Sequence, residues 1–383
     1  SSSALSLYIH IPWCVRKCPY CDFNSHAARE PIPEAAYVAA LLGDLDRELA
    51  GLTQEPPPLV SLFIGGGTPS LFSGAAIARL LAGIGQRLPL DPTTEITLEA
   101  NPGTADAANF TAYRAAGVNR LSLGVQSLSA DRLRDLGRIH GPDEARRAFR
   151  LARQAGFDNI NLDLMYGLPH QGLPQAREDL AQALALAPEH LSYYQLTLEP
   201  NTPFHATPPP LPDDDLGADM QLQGLEMLSA SGFAQYEVSA HAQSGRQCRH
   251  NLHYWTFGDY LGIGAGAHGK RRDPATGRTW RQAKPRQPAA YLQTLGNPDP
   301  VGSRWMLLDE DLVLEFAMNA LRLTEGFDRR RFTQSTGLDL DRLATPMTSA
   351  VEAGLLEIRG HWVRPTERGR WFLNDLLEHF MPD

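Results

Sequence analysis

The sequence predicts an α/β protein built on a parallel sheet, with a smaller and mainly helical unit at the C-terminus. Short apolar runs of strand length recur through the first half of the chain, and segments with helical periodicity lie between them. Six such βα units in a row imply a parallel sheet with right-handed crossovers. The pattern fits both a doubly wound sheet and a barrel, and periodicity alone does not decide between them.

Each predicted strand is short, is rich in β-branched or aromatic residues and ends near a turn signal. The predicted strands are Ser6–Trp13, Leu59–Ile64, Glu95–Glu99, Arg120–Val125, Asn159–Met165 and His190–Leu196. The segments between them carry apolar residues at helical spacing. The predicted helices are Pro33–Leu49, Ala75–Arg87, Ala105–Ala116, Pro142–Ala155 and Leu173–Leu186.

A proline-rich and aspartate-rich loop starting at Pro208 separates this part from the rest of the chain. Beyond it we predict a helix over Leu216–Ser231, a strand over Gln235–Ala240, helices over Asp311–Leu323, Leu338–Ala353 and Glu367–Phe380, and a hairpin over Leu355–Pro365. The order in the tail is typical of a winged-helix-like fold. We therefore expect three units over residues 1–208, 209–305 and 306–383.

Composition restricts the class of protein. The chain has 383 residues, 43% of them hydrophobic, and a net charge of −9. That charge argues against a nucleic-acid binder, for which a basic footprint is expected. No apolar run approaches the ~18 residues of a membrane span, and the first residues do not resemble a signal peptide. We expect a cytoplasmic protein without an integral membrane segment, although docking to a membrane-bound partner stays open.

Three of the four cysteines, Cys14, Cys18 and Cys21, form a C-x₃-C-x₂-C motif near the N-terminus. Thiolates are the ligands of iron–sulfur clusters, and three of them can hold three irons of a [4Fe–4S] cube. The fourth iron would then be open to an outside ligand. A zinc site completed by His10 or His26 is an alternative, but the spacing is not that of a zinc ribbon. A disulfide framework is a weaker alternative, because so few cysteines fit a reducing compartment.

Polar or glycine residues lie at the carboxyl ends of four predicted strands, where α/β barrels build their sites. They are Gly65–Thr68, Glu99, Gln126 and Asp163. Glycines in such a turn let the backbone approach a polar ligand closely. We expect these positions to form one site with the cysteine motif.

The stretch from Tyr8 to Phe23 resembles the cluster loop of radical S-adenosylmethionine (SAM) proteins, in which an aromatic residue, here Tyr20, precedes the third cysteine. Gly-Gly-Gly-Thr-Pro-Ser, Glu-Ala-Asn-Pro-Gly, Leu-Gly-Arg-Ile-His and Asn-Leu-Asp-Leu-Met-Tyr-Gly-Leu-Pro extend the match over residues 8–169. In this order they resemble a branch that contains oxygen-independent coproporphyrinogen III dehydrogenases. The resemblance implies an open, partial (β/α)₆ barrel whose cluster presents its fourth iron to SAM.

The same resemblance implies a set of SAM contacts. They are Tyr8, Tyr20, Gly66, Gly67, Thr68, Glu99, Gln126, Arg138 and Asp163. Their chemistry is suitable, because Glu99 can accept from an ammonium and Arg138 can pair with a carboxylate. Gln126 and Asp163 can bond ribose hydroxyls. The alternatives are a surface pair between Arg138 and Asp135 and a buried, hydrogen-bonded Asp163 without a ligand.

Two features depart from the dehydrogenases. Their further cysteine, two positions after the third, is replaced here by Phe23, and the cluster motif begins at Tyr8, whereas their chains have a substrate-contacting extension upstream. In addition, the sequence His-Asn-Leu-His-Tyr-Trp over residues 250–255 resembles the H-N-x-x-Y-W signature of the HemW group of heme chaperones. The resemblance implies that the chain binds heme.

His250 is the first candidate for the heme ligand, because imidazole is a common axial ligand of heme iron. His253 and Cys248 are further candidates, and Tyr254 and Trp255 could cover the macrocycle. The alternative is that His250 and Asn251 cap local backbone and that Trp255 belongs to the core. We therefore predict a protein that binds a [4Fe–4S] cluster, SAM and heme and delivers heme to acceptor proteins, membrane-bound respiratory enzymes among them. The competing prediction is a radical SAM oxidative decarboxylase of coproporphyrinogen III.

Overall fold

A twelve-stranded mixed sheet runs through the computed structural model, which describes residues 4–299 and 302–382. In chain order the strands are β1 (Leu5–Ile11), β2 (Trp13–Cys14), β3 (His26–Ala27), β4 (Leu59–Gly66), β5 (Glu95–Ala100), β6 (Arg120–Gln126), β7 (Ile160–Tyr166), β8 (His190–Gln195), β9 (Ala234–Gln235), β10 (Ala240–Ala242), β11 (Asp259–Ile263), β12 (His268–Arg272), β13 (Thr279–Ala283), β14 (Ser303–Met306), β15 (Phe327–Asp328), β16 (Leu356–Arg359) and β17 (Trp362–Pro365). The order in the large sheet is β14-β13-β12-β11-β1-β4-β5-β6-β7-β8-β10-β9.

The helices are α1 (Glu34–Ala50), α2 (Gly74–Gly85), α3 (Ala107–Ala116), α4 (Ala130–Asp135), α5 (Pro142–Gln154), α6 (Leu173–Ala185), α7 (Pro203–Ala206), α8 (Asp214–Ala230), α9 (Arg249–Trp255), α10 (Pro288–Leu292), α11 (Asp309–Ala320), α12 (Arg329–Thr336), α13 (Asp341–Glu352), α14 (Glu367–Trp371) and α15 (Leu373–Glu378). Several begin at a side chain that accepts a first-turn amide, as Ser73, Asp106 and Asp213 do for α2, α3 and α8. In the part of the chain that the structure describes, no helix has the length and apolar character needed to cross a membrane.

The six predicted βα units are present. Strands β1, β4, β5, β6, β7 and β8 are neighbours in this order and all pair in parallel. Over the described residues, the sheet ends in β14 on one side and β9 on the other and does not close. The prediction of an α/β fold with an open, partial barrel is therefore confirmed.

The C-terminal part of the sheet was not predicted. Strand β11 joins the barrel in parallel beside β1, and β12, β13 and β14 continue the sheet in antiparallel order. The chain therefore returns to the first strand after residue 258. Helix α9 immediately precedes this return.

Successive side chains along the strands alternate between two environments, the core under the helices and the interior of the barrel. On β1 and β4, residues such as Leu7, Ile9 and Leu62 pack into the core with the surrounding helices. The intervening residues face the barrel interior, because successive side chains of a strand point to opposite faces. Ser61 on β4 and Glu99 on β5 are examples, and the interior is therefore largely polar.

The C-terminal unit has the winged-helix-like order that the sequence predicts, with α11, β15, α12, α13 and the β16–β17 hairpin in succession. Its small core contains Phe316, Phe327 and Phe332. The expected last helix over Glu367–Phe380 is wrong, because Phe372 has non-helical backbone angles (φ −116°, ψ 52°) and separates α14 from α15. This bend brings Leu376 into the same core.

The predicted strand over Gln235–Ala240 is also wrong as one element. It is a tight reversal between β9 and β10, which pair in antiparallel fashion. The amide and hydroxyl of Ser239 both donate to the Glu237 carboxylate at 2.9 Å, and these bonds stabilise the turn. The division of the chain at residues 208 and 305 stays a prediction.

Candidate cluster and cofactor site

A cavity of about 490 Å³ lies at the carboxyl ends of the parallel strands. It collects the predicted site residues with the exception of Tyr8 and His250. They are Cys14, Cys18, Tyr20, Cys21, Gly66, Gly67, Thr68, Glu99, Gln126, Arg138 and Asp163. Residues far apart in the sequence therefore meet here, because the same ends of parallel strands share one edge of a barrel.

The cysteine loop leaves the end of β1 and is closed by a short parallel ladder between β2 and β3. The amide of Ala28 donates to the Cys14 carbonyl at 2.8 Å, and the amide of Cys21 donates to the Cys18 carbonyl at 3.0 Å. All three cysteines are free thiols. Burial raises the pKa of the Cys14 and Cys21 thiols, so that iron would have to displace their protons.

The donor set fits a multinuclear cluster. Across residues 4–299 and 302–382, no three His, Cys, Asp or Glu side chains converge on a point that would hold one metal ion. The two histidines of the zinc alternative are engaged elsewhere, because Nε2 of His10 bonds the Asn24 carbonyl at 2.7 Å and Nε2 of His26 bonds the Asn24 side chain at 3.0 Å. Thiolates that each bind a different iron of a cube need no common point.

The loop after β4 needs glycine, because its backbone packs directly against the cysteine loop. A Cβ on Gly66 would lie 2.5 Å from the Ile11 carbonyl oxygen, and one on Gly67 would lie 2.4 Å from that of Trp13. Gly66 also has a φ of 122°, which side chains disfavour. The amides of Gly67 and Thr68 donate to these same two carbonyls at 2.7 Å. Both carbonyl oxygens are therefore engaged by the glycine loop, and these bonds hold that loop against the cysteine loop beside the cavity.

Glu99 and Asp163 are acidic groups without a cationic partner at hydrogen-bonding distance among the described residues. Burial, and next the charge of Asp163, raise the pKa of Glu99 to about 8, although the Gly66 amide donates to its carboxylate at 3.1 Å. Burial also raises the pKa of Asp163, although a 2.9 Å hydrogen bond from Asn161 acts in the opposite direction and lowers it. A cationic ligand would favour the charged form of both groups, as the ammonium and sulfonium groups of SAM would.

Arg138 also lines the cavity and is held there by the end of β6 and by the cysteine loop. Its Nη2 donates to the Gly124 carbonyl at 2.7 Å, its Nη1 lies 3.6 Å from the Cys18 sulfur, and its Nε is buried without a partner in the described structure. The alternative pair with Asp135 is not formed, because Asp135 pairs with Arg132 at 3.2 Å. A buried donor without a partner beside a thiol fits a carboxylate ligand near the cluster.

Gln126 occupies a bulge at the end of β6 and has a positive φ of 67°. Its Oε1 accepts a bond of 2.9 Å from the Tyr194 hydroxyl. Its Nε2 has no protein partner within the described residues and is left for a ligand oxygen. Unusual backbone geometry of this kind is often found at binding sites.

Tyr8 and His250 lie below the cavity, in the barrel interior. Tyr8 is in the middle of β1, and its hydroxyl donates to His10 Nδ1 at 2.9 Å. Tyr8 is therefore not among the residues that line the cavity, and its contact with SAM stays a prediction. The ring of His250 stacks on Phe63 at 5.0 Å and 28°, and its Nδ1 lies 2.8 Å from the Ser61 hydroxyl.

His250 reaches this position because the buried carboxylate of Glu95 accepts the amides of Arg249 and His250 at 2.9 and 3.1 Å, at the first turn of α9. Burial lowers the pKa of His250 to about 3, so its imidazole is neutral at neutral pH. Its Nε2 makes no hydrogen bond in the described structure. A neutral imidazole with a free nitrogen is what an iron ligand requires.

The other residues of the H-N-x-x-Y-W segment are already engaged. His253 Nε2 donates to the Asp259 carbonyl at 2.7 Å, and burial raises the pKa of the Cys248 thiol to about 12. Tyr254 packs edge-on against Trp255, whose ring is covered by the Arg322 guanidinium at 4.5 Å. His250 is therefore the best placed of the three candidate ligands, and the two aromatic rings belong to local packing.

Sequence reasoning missed several polar residues of the interior. Arg120 is fully buried, its Nε has no partner in the described part of the chain, and its charge acts on both Glu99 and Asp163. Asn161 and Ser61 hold Asp163 and His250. The period of two along each strand would have found them, because it places them on the polar face.

The fold and the site can be compared with known proteins. Residues 8–183 match the Radical SAM superfamily, and residues 307–372 match the HemN C-terminal domain. The chain is 50% identical over 385 residues to the heme chaperone HemW of Escherichia coli, with 99% of this chain and 98% of the relative covered. It is 47% identical over 382 residues to HemW of Haemophilus influenzae, at 99% and 98% coverage.

Among solved structures, the coproporphyrinogen III oxidase HemN of Escherichia coli, a radical SAM enzyme, superposes with a TM-score of 0.81 at 22% identity. The match covers 99% of this chain and 90% of HemN. At that identity it shows a shared fold. The identity to HemW extends along the whole chain, and on this evidence the chain belongs to the HemW family of the radical SAM superfamily.

Proposed function

We propose that this protein binds heme together with a [4Fe–4S] cluster and SAM, and that it transfers heme to acceptor proteins. Membership of the radical SAM superfamily implies the cluster and SAM. The observation that carries the heme part is His250, whose neutral imidazole is held in the barrel interior with Nε2 unused. The full-length relatives named heme chaperones support the transfer.

In this proposal Cys14, Cys18 and Cys21 hold the cluster. When bound, the cluster would supply an iron without a protein ligand, to which SAM can bind, and a source of one electron. Arg138 would pair with the SAM carboxylate, and Glu99 would accept from its ammonium. Gly66, Gly67 and Thr68 would contact the methionine end of SAM, because they line the cavity beside the cysteine loop.

His250 would coordinate heme iron through Nε2. Because the imidazole is neutral at neutral pH, one of its ring nitrogens carries a lone pair, and in the Nδ1–H tautomer that lone pair is on Nε2. Phe63 stacks on the ring and limits its rotation. The ligand would therefore already be oriented before heme binds, which lowers the cost of ordering on binding.

The second candidate function is oxidative decarboxylation of coproporphyrinogen III. The shared fold with HemN favours it. Phe23 argues against it, because it occupies the place of the dehydrogenases' further cysteine and is 65% exposed at the rim of the cavity. A cytoplasmic location and membrane-bound respiratory enzymes as acceptors stay predictions.

Titration of the anaerobically reconstituted protein with ferric heme tests the proposal. We expect a saturable heme absorbance band in the wild type, and a shifted band with weaker binding in His250→Ala. His361→Ala is the matched control, because His361 is exposed on the β16–β17 hairpin. Failure of the wild type to bind heme would refute the function, and an unchanged band in His250→Ala would remove His250 as the ligand.

A further inference from the structure

A second cavity, of about 130 Å³, lies at the end of the barrel opposite the cysteine loop. Leu5 and Asp259 line it, and they are the first residues of the parallel strands β1 and β11, whereas the cysteine loop leaves the other end of β1. The turn after α1, residues 51–57, borders the same cavity. Because a water molecule takes about 30 Å³ in the liquid, the space is that of about four waters. A phosphate or a carboxylate group would fit in it.

Three adjacent strands place a tryptophan between two arginines beside this cavity. Arg271 on β12 is opposite Trp280 on β13, and Trp280 is opposite Met306 on β14. Residues that are opposite each other in a sheet have their side chains on the same face. Arg304 is two residues from Met306 along β14 and is therefore on that face as well. Its guanidinium covers the Trp280 ring at 4.4 Å, and both arginines line the cavity.

Neither of these two guanidinium groups has an anionic partner. Within residues 4–299 and 302–382, no carboxylate lies within 4.0 Å of either group, and neither group donates a hydrogen bond. Burial lowers the pKa of Arg271, Glu48 raises it, and the like charge of Arg304 lowers it again. The Glu48 carboxylate is itself engaged, because it accepts from Lys284 Nζ at 2.6 Å. Two like charges are thus held near each other without a counter-ion in this part of the chain.

The other charged groups around the cavity do not supply one. Asp259 accepts the Arg272 amide at 3.2 Å, and Asp273 accepts the Ala275 amide at 2.9 Å. The guanidinium of Arg272 donates to a main-chain carbonyl of its own hairpin at 3.3 Å. Glu55 also lines the cavity, but it is exposed, and an exposed acid interacts weakly with charges nearby. Arg271 and Arg304 are therefore the groups left to bind an anion.

We propose that Arg271 and Arg304 form a binding site for an oxyanion, either the phosphate of a phosphate ester or a carboxylate. The planar guanidinium group matches both kinds of anion through two parallel hydrogen bonds. An oxyanion bound to both arginines would also offset the repulsion between their charges.

The surroundings already orient the two side chains. Trp280 holds the Arg304 guanidinium over its ring, a contact that is favourable for a cation. Arg271 reaches the turn after α1, where a Cβ on Gly51 would lie 3.5 Å from its Nη2. The site is separate from the cluster and cofactor cavity, and the inference does not depend on the binding of heme or SAM.

Calorimetric titration with inorganic phosphate, and separately with glutarate, tests the inference. The protein is reconstituted anaerobically and saturated with SAM, so that Arg138 is not available to the added anion. Sodium chloride at the same ionic strength measures the effect of screening alone. We expect saturable binding of one anion per chain, which Arg271→Gln and Arg304→Gln should each weaken roughly tenfold or more. Tighter binding of phosphate would support the site and identify a phosphate ester as its ligand, and tighter binding of glutarate would support it and identify a carboxylate.

Arg278→Gln is the matched control, because Arg278 is exposed in the same β12–β13 hairpin and does not line the cavity. It should bind the anion within about twofold of the wild type. Arg304 is exposed, so Arg304→Gln should fold even if Arg271→Gln does not, and unchanged SAM affinity checks the fold of each variant. Absence of saturable binding of both anions to the wild type would overturn the inference. Wild-type affinity in the folded glutamine variants would also overturn it, because the anion would then bind elsewhere. The heme titration of the wild type tests the proposed function separately from either result.

Discussion

Glu99 should couple SAM binding to pH. Burial, and next the charge of Asp163, raise its pKa to about 8, so at pH 7 its protonated form exceeds its charged form about tenfold. If the SAM ammonium binds the charged form, affinity should rise with pH. The charged fraction is about 0.01 at pH 6, about 0.1 at pH 7 and about 0.5 at pH 8. We therefore expect the titration of Glu99 by itself to tighten SAM binding roughly fifty-fold between pH 6 and pH 8 and to release about 0.9 proton at pH 7.

The change that tests this is Glu99→Gln, which keeps the size of the side chain and removes the titration. Calorimetry in buffers of different ionisation enthalpy measures the released proton directly. The amino group of SAM titrates near pH 8 as well, so the difference between the wild type and Glu99→Gln isolates Glu99. Glu30→Gln, at an exposed position, should keep the wild-type profile. Equal proton release in the wild type and Glu99→Gln would refute the assignment of Glu99 to the ammonium.

Three further predictions concern the same cavity. Alanine at any one of the three loop cysteines should abolish the four-iron cluster, whereas Cys248→Ala should keep it; iron counting after reconstitution decides, and full iron in a loop variant would contradict the assignment. Arg138→Ala should weaken SAM binding by about 1.5–3 kcal/mol, the value of a hydrogen bond to a charged group, and should leave the iron content unchanged. Arg134→Ala, at an exposed position, should bind SAM as the wild type does. Equal SAM affinities in the two variants would exclude Arg138 from the site. Gly67→Ala should displace the cysteine loop, because its Cβ would lie 2.4 Å from the Trp13 carbonyl oxygen, and it should lower the free energy of unfolding by roughly 1–3 kcal/mol. Gly141→Ala should not lower it, because a Cβ there would have nothing within 4 Å. Equal melting temperatures for the two variants would refute this account of the loop.

Much of the site could be predicted from the sequence because the chemistry is local. The cysteine spacing lies within one loop, and Glu99 and Gln126 lie at or near strand ends that the apolar pattern identifies. A parallel sheet then brings such ends together whatever the details of the helices. Tyr8 was named as a SAM contact from the family resemblance; it lies in the middle of β1 and does not line the cavity, so that contact stays a prediction.

The parts that could not be predicted depend on contacts between distant segments. The pairing of β11 with β1 joins residues about 250 positions apart, and no local pattern encodes it. Helix α14 packs closely on the chain near Leu355, where a Cβ on Gly369 would lie 1.9 Å from the Leu355 oxygen, and it ends at the non-helical Phe372. The bond from Ser61 to His250 likewise exists only once α9 is anchored by Glu95.

The central claim is that the radical SAM site serves a heme carrier and not a coproporphyrinogen decarboxylase. The measurement that tests it most directly is made on one anaerobically reconstituted sample, with full cluster and with SAM and reductant added. Part of the sample is titrated with heme, and part is incubated with coproporphyrinogen III and analysed for protoporphyrinogen IX. We predict saturable heme binding and no protoporphyrinogen IX. Conversion of coproporphyrinogen III over many turnovers, or the absence of heme binding in a sample with intact cluster, would contradict the account.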